Sequence, residues 1–323
     1  MSDTLVFDAA EFVAEQVAEV RKKVGDRHAV IALSGGVDST VAAAIVNTAI
    51  GKRLHAVYVD TGLMRKGETE YVESMMKRMG LNYTVVHAGE EYFAALKGVT
   101  DPERKRKIIG EKFIRIFERE AKHTNAAVLV QGTIAPDWIE SGGGNRDTIK
   151  SHHNVGGLPK DMKLELCEPL YHLYKDEVRA VARHLKVEVA ERQPFPGPGL
   201  AVRVIGELLP HRVAIAREAC DVVEREIDAA VKAGKMTHPW QYFAVLTNTP
   251  TVGVQGDIRA YGETVAVRAV ASLDAMSATA STIPYEVLQR IARGITNHPE
   301  IKQKVNRVVY DITDKPPATV EWE

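Results

Sequence analysis

The sequence predicts an α/β protein in which an open, doubly wound parallel sheet is followed by a smaller α+β domain. Short apolar strand segments alternate with amphipathic helix segments over residues 1–193, at the spacing of βαβ units. Residues 193–199 (QPFPGPG) contain three prolines and two glycines, which end regular structure and mark a stiff junction. We therefore predict two domains, residues 1–193 and residues 194–323.

Each segment of the first predicted domain has its own signal. Apolar residues recur with the helical period in the first helix, and the first three helices each stop at a glycine. The predicted helices are residues 8–24, 39–50, 67–79, 102–123 and 175–185, and the predicted strands are 28–33, 54–59, 83–86 and 127–131. Open parallel sheets bind ligands beyond the carboxyl ends of their strands. Residues 34–39, 60–62 and 131–133 are therefore expected along one rim.

The second predicted domain mixes helices and strands without internal repeats or low-complexity segments. Its predicted helices are residues 209–232 and 285–295, and its predicted strands are 243–246, 265–271 and 308–311. This order predicts an α+β domain.

Composition excludes several classes of protein. Hydrophobic residues make up 45% of the chain and charged residues 26%, as in a soluble globular protein. No apolar run approaches the roughly 20 residues of a membrane span, and the N-terminus lacks a signal peptide pattern. The net charge of −1 argues against broad nucleic-acid binding. With only two cysteines, Cys167 and Cys220, the sequence fits a reducing cytoplasm.

Residues 34–40 (SGGVDST) form the most informative motif, a glycine-rich loop between a predicted strand and a predicted helix. Such a loop presents free backbone N–H groups and the positive end of the helix dipole to an anion. The loop lacks the Gly-Lys-Ser/Thr ending of the common ATP loop and carries a carboxylate, Asp38, instead. An acid beside polyphosphate is favourable if it holds Mg²⁺. The alternative is a glycine-rich turn without a ligand.

Residues 132–160 show no periodicity, and we predict a lid or binding loop over about 134–160. The segment contains Trp138, Ile139, Ile149 and the adjacent histidines His152 and His153, which are unusual in a passive linker. Simple disorder is the alternative.

Several long strings of this sequence resemble the GMP synthases, a family within the PP-loop ATP pyrophosphatases. The matching strings are residues 34–40, 59–63 (VDTGL), 105–110 (KRKIIG), 131–137 (QGTIAPD), 139–141 (IES), 150–159 (KSHHNVGGLP), 194–199 (PFPGPG) and 315–323 (KPPATVEWE). The resemblance covers essentially the whole chain and implies a Rossmann-like PP-loop domain. It also implies amination of xanthosine monophosphate (XMP) to GMP with ATP and Mg²⁺, through adenylated XMP, with release of AMP and pyrophosphate. In the family, the small C-terminal domain binds XMP and forms a dimer.

One departure from the single-chain members of the family concerns the source of ammonia. Those members carry an N-terminal glutamine amidotransferase domain with a cysteine nucleophile, whereas here the ATP-binding segment begins almost at residue 1. Neither Cys167 nor Cys220 has a nucleophile-elbow context, and two acids, Glu165 and Glu168, lie beside Cys167. The chain therefore resembles the synthetase subunit of the two-subunit form, and we expect a separate glutamine amidotransferase subunit as its partner.

The resemblance implies three groups of site residues. ATP contacts are expected from Ser34, Gly35, Gly36, Val37, Asp38, Ser39, Thr40, Asp60 and Gly132. Catalytic or lid roles are expected from Asp38, Asp137, Glu140, Lys150, His152 and His153, with Asp38 also the expected Mg²⁺ ligand. XMP contacts are expected from Arg106, Gln241, Arg268, Lys315 and Glu321. A lysine suits the 5′-phosphate as a point charge, and a glutamate accepts N–H donors from a purine.

Simpler interpretations stand beside four of these roles. The two histidines could form a zinc site, although adjacent histidines point apart and no Cys or third His has metal spacing. Arg106 could lie on a solvated helix face, Glu321 in a frayed terminus, and Asp60 in a turn or helix cap.

Two other functions remain open on the sequence. One is another PP-loop, AMP-forming ligase that amidates a substrate or thiolates tRNA. That function predicts a reactive cysteine pair or a basic RNA-binding domain, and neither is present in the sequence. The other is a module that binds nucleotides without turnover.

Overall fold

In a computed structural model of the chain, the described residues are 7–140, 164–187, 192–255, 257–272 and 275–323. Internal contacts divide the chain into two compact units. The first comprises Met1–Asp60, Glu68–Ala88 and Gly110–Arg192, and the second comprises Thr61–Gly67, Gly89–Ile109 and Gln193–Glu323. Two segments that precede residue 193 thus belong to the second unit. The sequence-based domain boundary at residue 193 stays a prediction.

The described elements follow the chain in a strict order. The helices are α1 (Ala9–Val24), α2 (Val37–Ile50), α3 (Glu68–Arg78), α4 (Gly89–Leu96), α5 (Pro102–His123), α6 (Ala135–Glu140), α7 (Lys175–His184), α8 (Pro210–Lys232) and α9 (Tyr285–Thr296). The strands are β1 (His28–Ala32), β2 (Leu54–Asp60), β3 (Asn82–His87), β4 (Ala126–Val130), β5 (Glu165–Cys167), β6 (Gln241–Leu246), β7 (Thr251–Gln255), β8 (Ile258–Ala271), β9 (Thr279–Ala280) and β10 (Val305–Asp311).

The first unit is organised around a five-stranded sheet in the order β3-β2-β1-β4-β5. Every neighbouring pair is parallel, and on the central strand β1 residue Ala29 lies opposite Leu54 of β2 and Val128 of β4. The apolar residues Ala29, Val30 and Ile31 of β1 are fully buried, as expected for a strand covered on both faces. The parallel α/β fold predicted from the sequence is confirmed.

The helices of this unit begin and end where the sequence places their signals. Asp8 caps α1, because its side chain accepts hydrogen bonds from the N–H groups of Ala10 (2.8 Å) and Glu11 (3.1 Å). Gly25, with a φ of 58°, ends the helix. In contrast, α2 is apolar on most of its surface and packs within the core.

The second unit contains a mixed sheet around the long strand β8. Strand β10 pairs with β8 in parallel, whereas β6, β7 and β9 pair with it antiparallel. Helices α8 and α9 pack closely, since a Cβ on Gly294 of α9 would lie 2.7 Å from Cγ1 of Val222 in α8. The predicted α+β character of this part of the chain is confirmed.

Some elements were not predicted from the sequence. The segment 132–160, predicted to lack structure, contains the short helix α6, so that prediction is wrong for residues 135–140. Strands β5, β7 and β9 and helix α4 were also missed, because they are short or rich in polar residues and glycine. Within the described residues, no helix combines the length and apolar character needed to cross a membrane.

Candidate active site

The glycine-rich loop lies at the carboxyl end of the central strand of the first unit. Strand β1 ends at Ala32, and α2 begins at Val37 with Gly36 as its N-cap residue. No side chain among the described residues caps this helix. The first N–H groups of a helix have no intrahelical partner, so the amino end of α2 offers them to an anion. The backbone thus has the strand, loop and helix in the order that the sequence predicted.

Hydroxyl groups fix the shape of this loop from inside. The Oγ atoms of Ser34 and Ser39 lie 2.9 Å apart, and Ser39 Oγ also accepts a bond from the N–H of Ser34 at 3.3 Å. Thr40 is fully buried, and its Oγ1 donates to the carbonyl oxygen of Gly36 at 2.7 Å. Thr40 therefore stabilises the loop, while its predicted contact with ATP stays a prediction.

Gly132 lies directly against the backbone of the loop. A Cβ at this position would be 2.9 Å from the carbonyl carbon of Asp38 and 2.9 Å from the nitrogen of Ser39. Real Cβ atoms do not approach backbone so closely, so any side chain here would displace the start of α2. The end of β4 and the loop can meet only because residue 132 is glycine.

Gly35 is supported from its other side by a buried ion pair that sequence reasoning missed. Its φ is +78°, and a Cβ on it would lie 2.8 Å from Cγ2 of Val72 and 3.2 Å from Oε1 of Glu68. The Glu68 carboxylate accepts two hydrogen bonds from Arg192, at 3.1 and 2.7 Å, and the guanidinium stacks 4.2 Å above the ring of Tyr71. This pair holds the wall against which the loop rests.

Asp38, in the first turn of α2, has one engaged and one unengaged carboxylate oxygen. Oδ2 accepts a hydrogen bond from Lys175 Nζ at 2.6 Å, whereas Oδ1 is buried and has no hydrogen-bond partner among the described residues. Burial raises the pKa of Asp38, the Lys175 ammonium opposes this effect, and the Asp137 carboxylate adds to it. A buried carboxylate oxygen without a donor fits a cation ligand.

Magnesium matches the number of protein oxygens at this place. Among the described residues, no three His, Cys, Asp or Glu side chains converge on one point that could hold a metal ion. Mg²⁺ commonly takes one or two carboxylates and fills its other positions with water and substrate phosphates. One orphaned oxygen of Asp38 beside an anion loop fits that pattern.

Helix α7 brings two cationic side chains to this region, and the sequence analysis did not single out either. Lys175 is its first residue and pairs with Asp38. Arg179 lies one turn later, lowers the pKa of Asp38, and has a buried Nε without a hydrogen-bond partner among the described residues. Their i, i+4 spacing puts both on one face of the helix. That spacing after the short apolar strand would have been the available signal.

The predicted lid residues are only partly described. Asp137 Oδ2 accepts a hydrogen bond from the N–H of Ile134 at 2.9 Å and so helps to start α6. The side chain of Glu140, and all of Lys150, His152 and His153, lie outside the described residues. Their catalytic roles, and the zinc alternative for the histidines, stay predictions.

Asp60 ends strand β2, as the sequence predicted, at the same edge of the sheet as the loop. Its Oδ2 lies 3.4 Å from Nδ1 of His87, and its carbonyl oxygen accepts from the N–H of Ala88 at 2.8 Å. Asp60 thus joins the ends of two strands, and its contact with the ATP ribose stays a prediction.

In the second unit, Gln241 and Glu321 belong to one buried cluster around Arg203. Glu321 accepts two hydrogen bonds from Arg203, at 3.1 and 2.9 Å, and a third from Gln241 Nε2 at 2.9 Å. The last residues of the chain are therefore ordered by contacts, and the frayed terminus considered from the sequence is not observed at Glu321. Arg203 itself was missed because nothing local marks it.

The other predicted XMP residues have varied surroundings. Arg268 is fully buried and donates to Asp311, Thr313, Thr319 and Val320, so it fastens the C-terminal tail. Lys315 Nζ donates to the carbonyl oxygen of Ala275 at 2.7 Å, and the partly exposed Arg106 pairs with Glu103. The basic run 104–107 is not simply a solvated face, because Lys105 is fully buried and pairs with Glu323.

Both cysteines are buried and unpaired. Burial raises the pKa of each thiol, and for Cys167 the acids Glu165 and Glu168 add a smaller increase. Cys220 Sγ also donates to the carbonyl oxygen of Ala244 at 3.3 Å. Burial, more than the neighbouring acids named from the sequence, keeps these thiols unreactive.

Comparisons with known proteins agree along the chain. The family model described as "PP-loop domain" matches residues 9–193, and the model described as "GMP synthase C terminal domain" matches residues 228–322. One of the named subunits of the glutamine-hydrolysing GMP synthase of Thermococcus kodakarensis is 61% identical over 97% of this chain and 99% of the relative. The GMP synthase polypeptide of the same name from Methanopyrus kandleri is 56% identical over 98% of this chain and 100% of the relative. The glutamine-hydrolysing GMP synthase of Clostridium botulinum is 54% identical over 97% of this chain, but the match spans only 61% of that longer relative.

Proposed function

Since this chain belongs to the GMP synthase family, we propose that it is the synthetase subunit that aminates XMP to GMP with ATP. The observation that carries the proposal is the uncapped amino end of α2, beside which the carboxylate of Asp38 keeps one buried oxygen without a donor among the described residues. An anion cradle next to a cation ligand suits Mg²⁺-bound polyphosphate.

The proposed reaction has two steps with balanced bonds. The C2 oxygen of XMP attacks the α-phosphorus of ATP, and pyrophosphate leaves. Ammonia then adds to C2, AMP departs with that oxygen, and a proton is lost to leave the amino group of GMP. The first step converts a poor leaving group into a good one.

The described residues contribute positioning and charge stabilisation. The N–H groups at the start of α2 would receive the leaving pyrophosphate, and Lys175 and Arg179 would add positive charge beside it. Asp38 Oδ1 would hold Mg²⁺, which when bound neutralises phosphate charge. We retain Asp137, Glu140, Lys150, His152 and His153 as proposed lid residues, and Asp60 and Gly132 as proposed parts of the ATP site.

The products distinguish this function from other uses of ATP. We expect the purified chain with Mg²⁺, ATP, XMP and ammonium to form GMP, AMP and pyrophosphate in equal amounts. Chromatography of the nucleotides and a pyrophosphate assay measure all three. Formation of ADP and phosphate would contradict the proposal, and binding of both nucleotides without products would favour the non-catalytic module.

A tRNA-thiolating ligase fits the described residues less well. Persulfide chemistry needs an accessible thiolate, whereas both thiols here are buried and have raised pKa values. The match of residues 228–322 to a GMP synthase domain also favours a purine nucleotide over RNA as the substrate.

Ammonia is proposed to come from a separate glutamine amidotransferase subunit. We expect the chain alone to use ammonium but not glutamine, because neither Cys167 nor Cys220 is exposed or activated. The measurement compares GMP formation from the two nitrogen sources, for the wild type and for a Cys167→Ser/Cys220→Ser double variant. Ammonium-dependent rates should agree within about twofold, as expected for changes outside the reacting groups. Glutamine-dependent synthesis by the wild type that the double variant loses would contradict this arrangement.

We also propose that the second unit forms a homodimer, because one face of the β7–β8 pair is apolar and exposed. Val254 and Tyr261 are 74% and 73% exposed, and Val252, which lies directly opposite Tyr261, shares their face. Asn306 covers the opposite face and donates to the carbonyl oxygens of Thr251 and Ala260 at 3.1 Å each. An apolar sheet face of this kind is typical of an interface.

Sedimentation tests the dimer. We expect the wild type to sediment as a dimer at micromolar concentration and a Val254→Glu/Tyr261→Glu variant as a monomer, because burying two carboxylates at an apolar interface is costly. Tyr285→Glu is the matched control, since Tyr285 is also 73% exposed but lies at the start of α9. A monomeric wild type, or equal dissociation in the control, would count against this interface.

A further inference from the structure

Arg203 is a buried cation in the second unit, and neither a motif nor its local sequence marked it as functional. It lies in the 3-10 turn Gly199–Arg203 and is 1% exposed. Its guanidinium carbon sits 4.1 Å from the ring centre of Phe243 and 5.1 Å from that of Phe195. The two rings restrict the guanidinium plane and supply cation–π attraction. The side chain is therefore fixed in one direction.

That direction points the guanidinium at Glu321. Nε and Nη2 of Arg203 donate to Oε2 and Oε1 at 3.1 and 2.9 Å, which is the bidentate geometry that arginine forms with carboxylates. Burial disfavours the charge of Arg203, but the Glu321 carboxylate outweighs burial and raises the pKa of Arg203. The pair is therefore ionised. With the bond from Gln241, three of the roughly four lone-pair sites of the carboxylate are occupied.

Other residues hold the main chain of the tail. Arg268 donates to the carbonyl oxygens of Thr319 and Val320 at 2.8 Å each. Lys105 pairs with the side chain of Glu323 in a buried ion pair. Arg203, in contrast, directs its two described hydrogen bonds to oxygen at the carboxylate of Glu321. Arg203 is thus placed to orient one side chain, whereas the backbone around it is fastened independently.

We propose that Arg203 is the positioning residue for Glu321 and aims its remaining lone pair at a ring N–H of an oxopurine base. The proposal rests on the proposed function, in which Glu321 reads the purine of XMP. Arg203 keeps that carboxylate ionised, so it only accepts hydrogen bonds, and removes its rotational freedom before the nucleotide binds. The preorganised acceptor favours bases with an N–H at that edge over bases with a bare ring nitrogen.

Steady-state kinetics of two Arg203 variants test the proposal. Arg203→Lys keeps the charge but loses the fork, and Arg203→Met removes both. We expect the KM for XMP to rise about 10-fold in the lysine variant and more in the methionine variant, since hydrogen bonds to a charged group account for changes of this order. The KM for ATP and kcat at saturating XMP should stay within about twofold of wild type.

Arg212→Met is the matched control for loss of a buried arginine. Arg212 is also buried in the second unit, pairs with Glu263, and donates to backbone carbonyl oxygens of residues 205, 207 and 247. Its loss should lower Tm at least as much as loss of Arg203 while leaving the KM for XMP unchanged. If the Arg212 variant raises the KM for XMP equally, Arg203 is only structural and the proposal is overturned.

A double-variant cycle separates orientation from general packing. On a Glu321→Gln background, Arg203→Lys should cause no further rise in the KM for XMP, because its target is already lost. Additive effects would overturn the proposal. Two failures remain distinguishable: a wild-type chain that does not aminate XMP contradicts the proposed function. An active wild type whose KM for XMP is unaffected by Arg203→Lys contradicts this inference alone.

Discussion

Replacing Asp38 by asparagine is expected to lower the rate of AMP formation by at least about 10²-fold, because it removes the carboxylate proposed to hold Mg²⁺. The side chains have the same shape, so the loop should keep its position. The measurement combines pyrophosphate release at saturating XMP with ATP binding in the presence and absence of Mg²⁺. Mg²⁺ should strengthen ATP binding by the wild type and have little effect on the variant.

Stability distinguishes this effect from unfolding. Because burial raises the pKa of Asp38, the ionised carboxylate costs folding free energy at pH values above its pKa in the unfolded chain. Asparagine carries no such cost, so the Tm of the variant should equal or exceed that of the wild type at pH 7, and the difference should shrink as the pH falls through the acidic range. A variant with wild-type turnover, or one whose lost activity follows a large fall in Tm, would contradict the assigned role.

Gly132→Ala is expected to weaken ATP binding by at least about tenfold, because a single Cβ would meet the backbone at the start of α2. The contact distance of 2.9 Å to both Asp38 and Ser39 leaves no room without moving the anion loop. Calorimetry of ATP binding measures the loss, and XMP binding should remain within about twofold of wild type.

Gly110→Ala is the matched control for this change. Gly110 lies within α5, has no positive φ, and a Cβ on it would meet nothing within 4 Å. Alanine is a better helix former than glycine, so the control should stabilise the chain by up to about 1 kcal/mol and leave ATP binding unchanged. Equal ATP affinity in the Gly132 and Gly110 variants would show that the close approach at Gly132 has no part in binding.

Features encoded by contiguous residues could be predicted from the sequence. The strand, the glycine pair and the helix of residues 28–50 each carry a local signal, so the anion loop and Asp38 were found where the structure has them. The tail was also expected to be tucked in, because apolar residues flank Glu321, and its contacts with Arg203 and Gln241 agree.

Features that depend on distant residues could not be predicted. Lys175 meets Asp38 across 137 positions of sequence, and Arg192 meets Glu68 across 124. No periodicity records such pairings, because they are created by the packing of separate elements. Lys105 shows the same limit: its charge run predicts an exposed side chain, yet the fold buries it against Glu323 and the carbonyl oxygen of Val204.

Isotope transfer tests the central claim, adenylation of the C2 oxygen of XMP, most directly. The chain would be incubated with Mg²⁺, ATP, ammonium and XMP labelled with ¹⁸O at C2, and the AMP analysed by mass spectrometry. The proposed chemistry predicts that the AMP phosphate gains one ¹⁸O for every GMP formed, because the substrate oxygen leaves with AMP. Unlabelled AMP, with the ¹⁸O in water or in inorganic phosphate, would contradict it.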